Sequence, residues 1–293
     1  MSQILVELIK LANLIILLSK AIASLNRVNN IFDMQPSIKE EGAFLASKTP
    51  IGSIAGTAAV EFKNVSFSYN ETAKEVLSNI TFKAMPGQTI GIIGGTGSGK
   101  SSLVNLISRF YDVQNGSVEV DGGNVKTLNP VSIRKHIGMV PQKAQLFKGT
   151  LRENMRWGRK NATDEEIYQA LEIAQAKEFV DSKDQGLDLM IEQNGSNLSG
   201  GQKQRLTIAR ALVKNPDILI LDEVLSVGDA KFRKKSEKKV LSMFDKGVTV
   251  LFVSHSLEQV QRLCNKAMIL EKGKLIAYGD IDEISAKYAE MIR

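Results

Sequence analysis

The run GGTGSGKS, Gly94 to Ser101, constrains the fold more than any other stretch of this chain. It fits G-x-x-x-x-G-K-[ST] at every fixed position. Ile90 to Ile93 before it reads as a short buried strand, and Ser101 to Ile107 after it as the start of a helix. Glycines let the backbone wrap closely, so that successive N–H groups point inward at phosphate oxygens. The new helix adds its positive end. Lys100 can reach the outer phosphates of a nucleotide, and the Ser101 hydroxyl can ligate Mg²⁺. The pattern predicts an α/β domain. It makes Gly94, Gly95, Thr96, Gly97, Ser98, Gly99, Lys100, Ser101 and Ser102 candidates for holding a phosphate chain.

Two further apolar runs end in polar residues. Ile218 to Leu221 leads into Asp222-Glu223, and Val248 to Val253 leads into Ser254-His255-Ser256. Continuous apolar runs of this length suit central strands of a parallel sheet covered on both faces. Ligands bind outside the carboxyl ends of such strands. Asp222 is therefore a candidate for holding Mg²⁺, and Glu223 for orienting and polarising an attacking water. His255 is expected beside them if the strands are close, hydrogen-bonding the terminal phosphate or the water.

Composition limits the alternatives. Cys264 is the only cysteine, which rules out a disulfide within the chain and makes a reducing compartment the default. A net charge of +6 permits anionic partners without demanding them. Its densest block, Lys231 to Lys239, reads as a solvated helix face. At the N-terminus, Ile4, Leu8, Leu11, Ile15, Leu18, Ile22 and Leu25 advance by alternating fours and threes. That spacing makes a helix with an apolar seam for packing on other helices. Leu5, Ile9, Ala12 and Ile16 widen the seam. Ile4 to Leu25 is apolar enough to suggest a membrane span, but Glu7, Lys10, Asn13 and Lys20 interrupt that run, and the segment lacks the marks of a secretory signal. The expected organisation is an apolar helix over 1–28, a linker over 29–57 punctuated by Pro36 and Pro50, and a compact domain over 58–290.

"NLSGGQKQRLTIARALVKNPDILILDE", Asn197 to Glu223, makes the reading specific. Leu198-Ser199-Gly200-Gly201-Gln202 resembles the signature motif of the ABC-type ATPases. The motifs stand in that family's order, and the likeness covers roughly Val60 to Ile284. The resemblance implies a P-loop NTPase fold: a RecA-like parallel sheet core, an antiparallel β subdomain, and an inserted α-helical subdomain at about 147–214. It implies ATP and Mg²⁺ as ligands. Tyr69 matches the aromatic that stacks on adenine, and Gln142 the glutamine that touches Mg²⁺ and the water and links the site to the membrane partner. Ser199, Gly200, Gly201 and Gln202 would close over ATP held by a second ATP-binding domain, head to tail. Glu223, His255 and Gln142 would carry the catalysis, and Ser101, Gln142 and Asp222 the metal.

The branch is also legible as resemblance. From Met1 to about Leu221 the chain looks like the end of a fused exporter, where the last membrane helix runs into the ATPase. On that likeness the first helix is the cytoplasmic end of a last transmembrane helix in a truncated exporter. After Glu223, such exporters usually continue Ser-Ala-Leu-Asp, whereas Ser226-Val227-Gly228-Asp229 stands here. From there the chain resembles ATPase subunits of polysaccharide and teichoic-acid exporters, so the sequence reads as a mosaic of two branches, with drift within one branch as the alternative. The expected protein is an exporter's ATP hydrolase at the cytoplasmic face of the cell membrane. Its expected partners are transmembrane domains and a second ATP-binding domain, with no nucleic acid. Two alternatives are an ABC fragment that binds ATP without coupled transport, and a soluble ABC ATPase acting on nucleic acid or the ribosome.

Overall fold

Three short runs, 89–93, 218–222 and 249–253, are buried at every position. A strand apolar on both faces needs a layer on each side, which a parallel sheet between covering elements provides. The computed structural model describes residues 2–34, 38, 56–70, 74–224 and 247–291, and it contains that sheet. Contacts divide the chain into two units, residues 1–39 and 40–293.

In the second unit the strands, in chain order, begin with β1 (Val60–Phe67), β2 (Leu77–Ala84), β3 (Thr89–Ile93) and β4 (Asn115–Val120). They continue with β5 (Gly123–Asn124), β6 (Ile137–Val140), β7 (Gly149–Thr150) and β8 (Met190–Ile191). The last four are β9 (Ile218–Asp222), β10 (Thr249–Val253), β11 (Lys266–Glu271) and β12 (Lys274–Asp280). The central sheet has the order β12-β11-β3-β10-β9-β6. Its neighbours from β11 to β6 pair in parallel, and β12 adds an antiparallel edge. Register decides what this sheet presents. Val253 lies level with Ile92 on one side and with Asp222 on the other, and Val140 with Leu221. The loops that leave β3, β10, β9 and β6 therefore emerge side by side at one edge.

A second, antiparallel sheet has the order β2-β1-β4-β5. Phe62 and Phe82 stack across its β1–β2 pair with ring centroids 4.7 Å apart. The central sheet is thereby flanked by two apolar cores. One joins the antiparallel sheet to Leu103, Val104, Leu106 and Ile107 of α2 (Lys100–Ile107). The other, opposite, includes Phe252 and the residues that follow residue 146.

Those residues form short helices with strong local start signals. α3 (Pro130–His136) precedes them, with Pro at its first position and Asn129 accepting from the Val131 N–H. α4 (Leu151–Arg156) and α5 (Asp164–Ile173) each open on a capping box, Thr150 with Glu153 and Thr163 with Glu166. α6 (Lys177–Asp181) and α7 (Gly200–Val213) complete the group, α7 with a third such box, Ser199 with Gln202. The segment expected to be helical also contains a strand pair. β7 and β8 pair antiparallel, and the Leu151 N–H extends the contact to Leu189 O. Gly149 at φ 146° opens that ribbon, a backbone setting at which sequence periodicity gives no warning. α8 (Leu257–Leu263) and α9 (Ile281–Met291) close the domain over β3 and β11.

The first unit is one helix, α1 (Ser2–Phe32). It continues past Val28, where the sequence reading ends it, because no Gly or Pro intervenes before Pro36. It is long and apolar enough to cross a membrane.

Gly91, in the middle of β3, shows how tightly α8 seats. A Cβ there would stand 2.1 Å from Val260 Cγ1 and 3.3 Å from Cys264 Sγ. Gly91→Ala should therefore cost about 1–3 kcal/mol by overpacking, read as a lower denaturant midpoint with the slope unchanged.

Candidate functional site

The loop between β3 and α2 is built for an anion. Gly97 and Gly99 adopt φ 76° and 100°, open to glycine and strained for other residues. Among the described residues, no atom lies within 4 Å of where a Cβ on Gly95 or Gly97 would stand, so the loop's outer rim is clear. Among the described residues the Gly97 and Gly99 N–H groups have no backbone acceptor, and α2 adds the N–H groups of its first turn. Among the described residues, the buried Ser98 Oγ has no hydrogen-bond partner, which leaves it a donor for an acceptor in the loop. Lys100, only 5% exposed, lies over the loop with Nζ 3.0 Å from both Gly94 O and Gly95 O. Burial pulls its ammonium below its ordinary pKa of 10.5, while Glu223 and Asp222 partly restore it.

The carboxylates stand opposite. Asp222, 5% exposed, ends β9 and accepts a 3.3 Å hydrogen bond from Ser101 Oγ. Burial raises its carboxyl above the ordinary 3.8, and the Ser101 bond works the other way. Glu223 follows at φ 54°, a left-handed setting that costs a non-glycine residue about 1–3 kcal/mol. Its N–H donates to Val253 O at 3.0 Å, which ties that turn to the end of β10. Three loops then meet on its side chain. Gln142 Nε2, from beyond β6, donates to Oε2 at 2.5 Å. His255 Nε2, from beyond β10, is 2.5 Å from Oε1, and Lys100 Nζ is 4.0 Å from the same oxygen. His255 thus reaches Glu223 itself.

Tyr69 is 46% exposed. Its hydroxyl is 2.7 Å from Ser102 Oγ, and its ring is met nearly edge-on by Phe67 and Tyr111, at 4.9 and 5.0 Å between centroids. Tyr111 was not legible as a site residue. It carries no motif, and it comes to Tyr69 only because the chain turns after α2, with Arg109 at φ 48°. Ser199 caps α7, its Oγ accepting from the Gln202 N–H at 3.3 Å while Gln202 Oε1 accepts from the Ser199 N–H at 2.9 Å. Among the described residues, no hydrogen bond or ion pair joins Ser199, Gly200, Gly201 or Gln202 to the Gly94–Ser101 loop. Within one chain these two parts stay separate. Ser226 to Asp229, where the sequence departs from the exporter pattern, and Lys231 to Lys239 lie outside the described residues.

The sequence model of the ABC transporter family matches residues 77–226, a span that takes in the glycine loop, Gln142, the Ser199 motif and both carboxylates. The chain belongs to the ABC transporter family. Members of this family bind ATP, generally with Mg²⁺. The chain is 36% identical over 274 residues to an uncharacterized ABC transporter ATP-binding protein, YfiC, of Bacillus subtilis, a match covering 94% of this chain and 44% of that one. It is 42% identical over 240 residues to the β-(1→2)glucan export ATP-binding/permease protein NdvA of Rhodopseudomonas palustris, covering 80% and 39%. Among solved structures it is similar to a bacterial Atm1-family ABC exporter with ATP bound, at a TM-score of 0.82 and 28% identity, covering 93% and 47%. This chain spans under half the length of each of these proteins. The YfiC match leaves only a small part of the chain outside it, so likeness to that ABC transporter ATP-binding protein continues past Asp222.

The residues fit the family's ligands. Clear rim glycines, the unpartnered Ser98 Oγ and buried Lys100 suit a phosphate chain. Among the described residues no cluster of three or more His, Cys, Asp or Glu could hold a metal. Mg²⁺ is bound by one or two carboxylates beside phosphates rather than by an all-protein cage, and Asp222 with the Ser101 hydroxyl offers oxygen donors of that kind.

Asp222 sets a measurable cost. A buried carboxyl whose pKa is raised on folding costs nothing below pH 3.8, where folded and unfolded chains are both protonated. The cost grows as the pH rises through and above that value. Asp222→Asn should therefore melt at a higher temperature than the parent at pH 7 without nucleotide, and the gap should close on acidification toward pH 4. Thermal melts at the two pH values check it.

Proposed function

We propose that this chain is the ATP-binding and hydrolysing domain of an ABC exporter, working at the cytoplasmic face of a membrane. The observation that carries the reading is the meeting of Gln142, His255 and Lys100 on the one carboxylate of Glu223, beside the Ser101–Asp222 pair.

In this reading the loop N–H groups of 94–101, Ser98 Oγ, Ser102 and Lys100 hold the phosphates of ATP, and the ring of Tyr69 receives the base. Ser101, Gln142 and Asp222 would hold Mg²⁺. Their oxygen donors suit a hard cation, which when bound screens the phosphate charge and polarises the bond to be broken. Glu223 accepts the hydrogen bond of the attacking water and draws its proton as the oxygen attacks. His255 and Gln142 fix the orientation of that carboxylate, each through one of its oxygens. Lys100 balances charge at the phosphate end.

The Ser199 motif stays apart from the loop within one chain, and this supports a composite site. Ser199, Gly200, Gly201 and Gln202 of one ATP-binding domain close over the nucleotide of a second, so that ATP holds the pair together and hydrolysis releases it. The exported solute passes through transmembrane domains, to which α1 belongs.

Glu223→Gln should keep ATP binding while slowing hydrolysis about 10²–10⁴-fold, the usual contribution of a general base. Single-turnover phosphate release beside equilibrium nucleotide binding measures both. Unchanged turnover would take Glu223 out of its role. Gly200 tests the composite site. Among the described residues nothing lies within 4 Å of where its Cβ would stand. Gly200→Val should leave the chain's melting temperature and ATP affinity nearly unchanged but abolish ATP-driven dimerisation by size-exclusion chromatography. Dimerisation as in the parent would refute the head-to-tail arrangement.

A further inference from the structure

The end of β1 carries a clasp that no motif in the sequence marks. The β1–β4 ladder runs out at the Ser66–Asn115 pair. Two residues past Ser66, a side chain takes over the pairing. Gln114 Oε1 accepts from the Ser68 N–H at 2.8 Å, and Gln114 Nε2 donates to Ser68 O at 2.8 Å. An amide has one accepting and one donating end, so a single setting of it serves both groups. Gln114 thus does for Ser68 what the backbone of a neighbouring strand would do, one residue before Tyr69.

Gln114 is itself firmly seated. A Cβ on Gly116, at φ 78°, would stand 2.3 Å from Lys63 O and 2.4 Å from Asn64 O, so the start of β4 lies hard against β1. On the other side Arg109, 2% exposed, donates from Nε to Asp112 Oδ1 and from Nη1 to Leu128 O, both at 2.9 Å. Those bonds hold the turn that brings Tyr111 to Tyr69. Edge-on ring contacts alone let a half-exposed tyrosine slide along its neighbours. A ring keeps its plane only when the backbone it hangs from is fixed too, and the clasp on Ser68 supplies that. Among the described residues, no hydrogen bond joins Gln114 to the Gly94–Ser101 loop or to Asp222 and Glu223. Its influence on a bound nucleotide therefore runs through Tyr69.

We propose that Gln114 is a positioning residue for the nucleobase: by locking the backbone at Ser68 it holds the ring of Tyr69 ready to stack on the base of ATP. The inference rests on the nucleotide reading above and adds to it a residue outside every motif.

The test uses the full chain in detergent as parent, Gln114→Glu, Tyr69→Ala and the double variant. Each is titrated with MgATP and with the magnesium salt of inorganic triphosphate, which carries no base. Glutamate keeps the size of the side chain and an acceptor for the Ser68 N–H, but sets a carboxylate oxygen against Ser68 O. Gln114→Glu should weaken MgATP binding about 3–10-fold and leave triphosphate binding within about twofold. In the Tyr69→Ala background the same change should leave MgATP affinity nearly unaltered, because no ring remains to be aimed. Equal losses for both ligands, the mark of a residue that merely supports the fold, would overturn the proposal. So would a Gln114→Glu effect that persists undiminished without the Tyr69 ring, or unchanged MgATP affinity in the single variant. Where triphosphate binds too weakly to measure, the Tyr69→Ala comparison decides by itself. Gln114→Ala, with its melting temperature read alongside, must give the same pattern and replaces glutamate should that variant not fold. A parent that binds MgATP while its variants break the pattern sinks the role of Gln114 alone. A folded parent that binds neither ligand sinks the nucleotide reading, and the role of Gln114 with it.

Discussion

The site depends on a matter of register. Val253 pairs level with both Ile92 and Asp222, so three parallel strands stop at one height. Only then can loops from four strands converge on one carboxylate. A slip of one residue in β9 would turn Asp222 to the other face of the sheet and carry Glu223 out of place with it. The buried runs of β3, β9 and β10 guard against that slip, because each is enclosed on both sides and its ends are fixed by backbone bonds such as Glu223 N–H to Val253 O. Glu223 sits at φ 54°, and that strain is held in place by the same strands. The apolar interior and the chemistry at its rim are one construction.

Much of this was legible in the sequence because the relevant signals are local. The glycine loop and the Asp222-Glu223 pair at a strand end each declare themselves within a few residues. His255 was expected beside the carboxylates on the condition that its strand be a neighbour, and the β10–β9 pairing meets that condition. The partner it takes is Glu223, however, and nothing in the sequence distinguishes that from a phosphate. The β7–β8 ribbon and the Tyr111–Tyr69 contact were not readable at all. Each is set by long-range packing between segments that carry no period or motif of their own.

The family likeness and the geometry bear on different questions. Relatedness over nearly the whole chain identifies an ABC transporter domain. The geometry adds which atoms of this chain meet: a histidine and a glutamine each occupying one oxygen of Glu223, and a serine hydroxyl on Asp222. The Ser199 box deserves the same double reading. Its hydroxyl and the Gln202 amide close the start of α7, so the residue that would face a second chain also keeps its own helix in register, and the surface it offers is already stiff.

The hydroxyl of Tyr69 rests on Ser102, the neighbour of Ser101 in the first turn of α2. On the proposed reading, the ring that would receive the base and the loop that would hold the phosphates are therefore gauged from the same helical turn. A bound nucleotide would then be clasped as if by callipers of fixed opening: a purine with too short a tail would touch one jaw only, and full purchase would come when base and outer phosphates span the gap together.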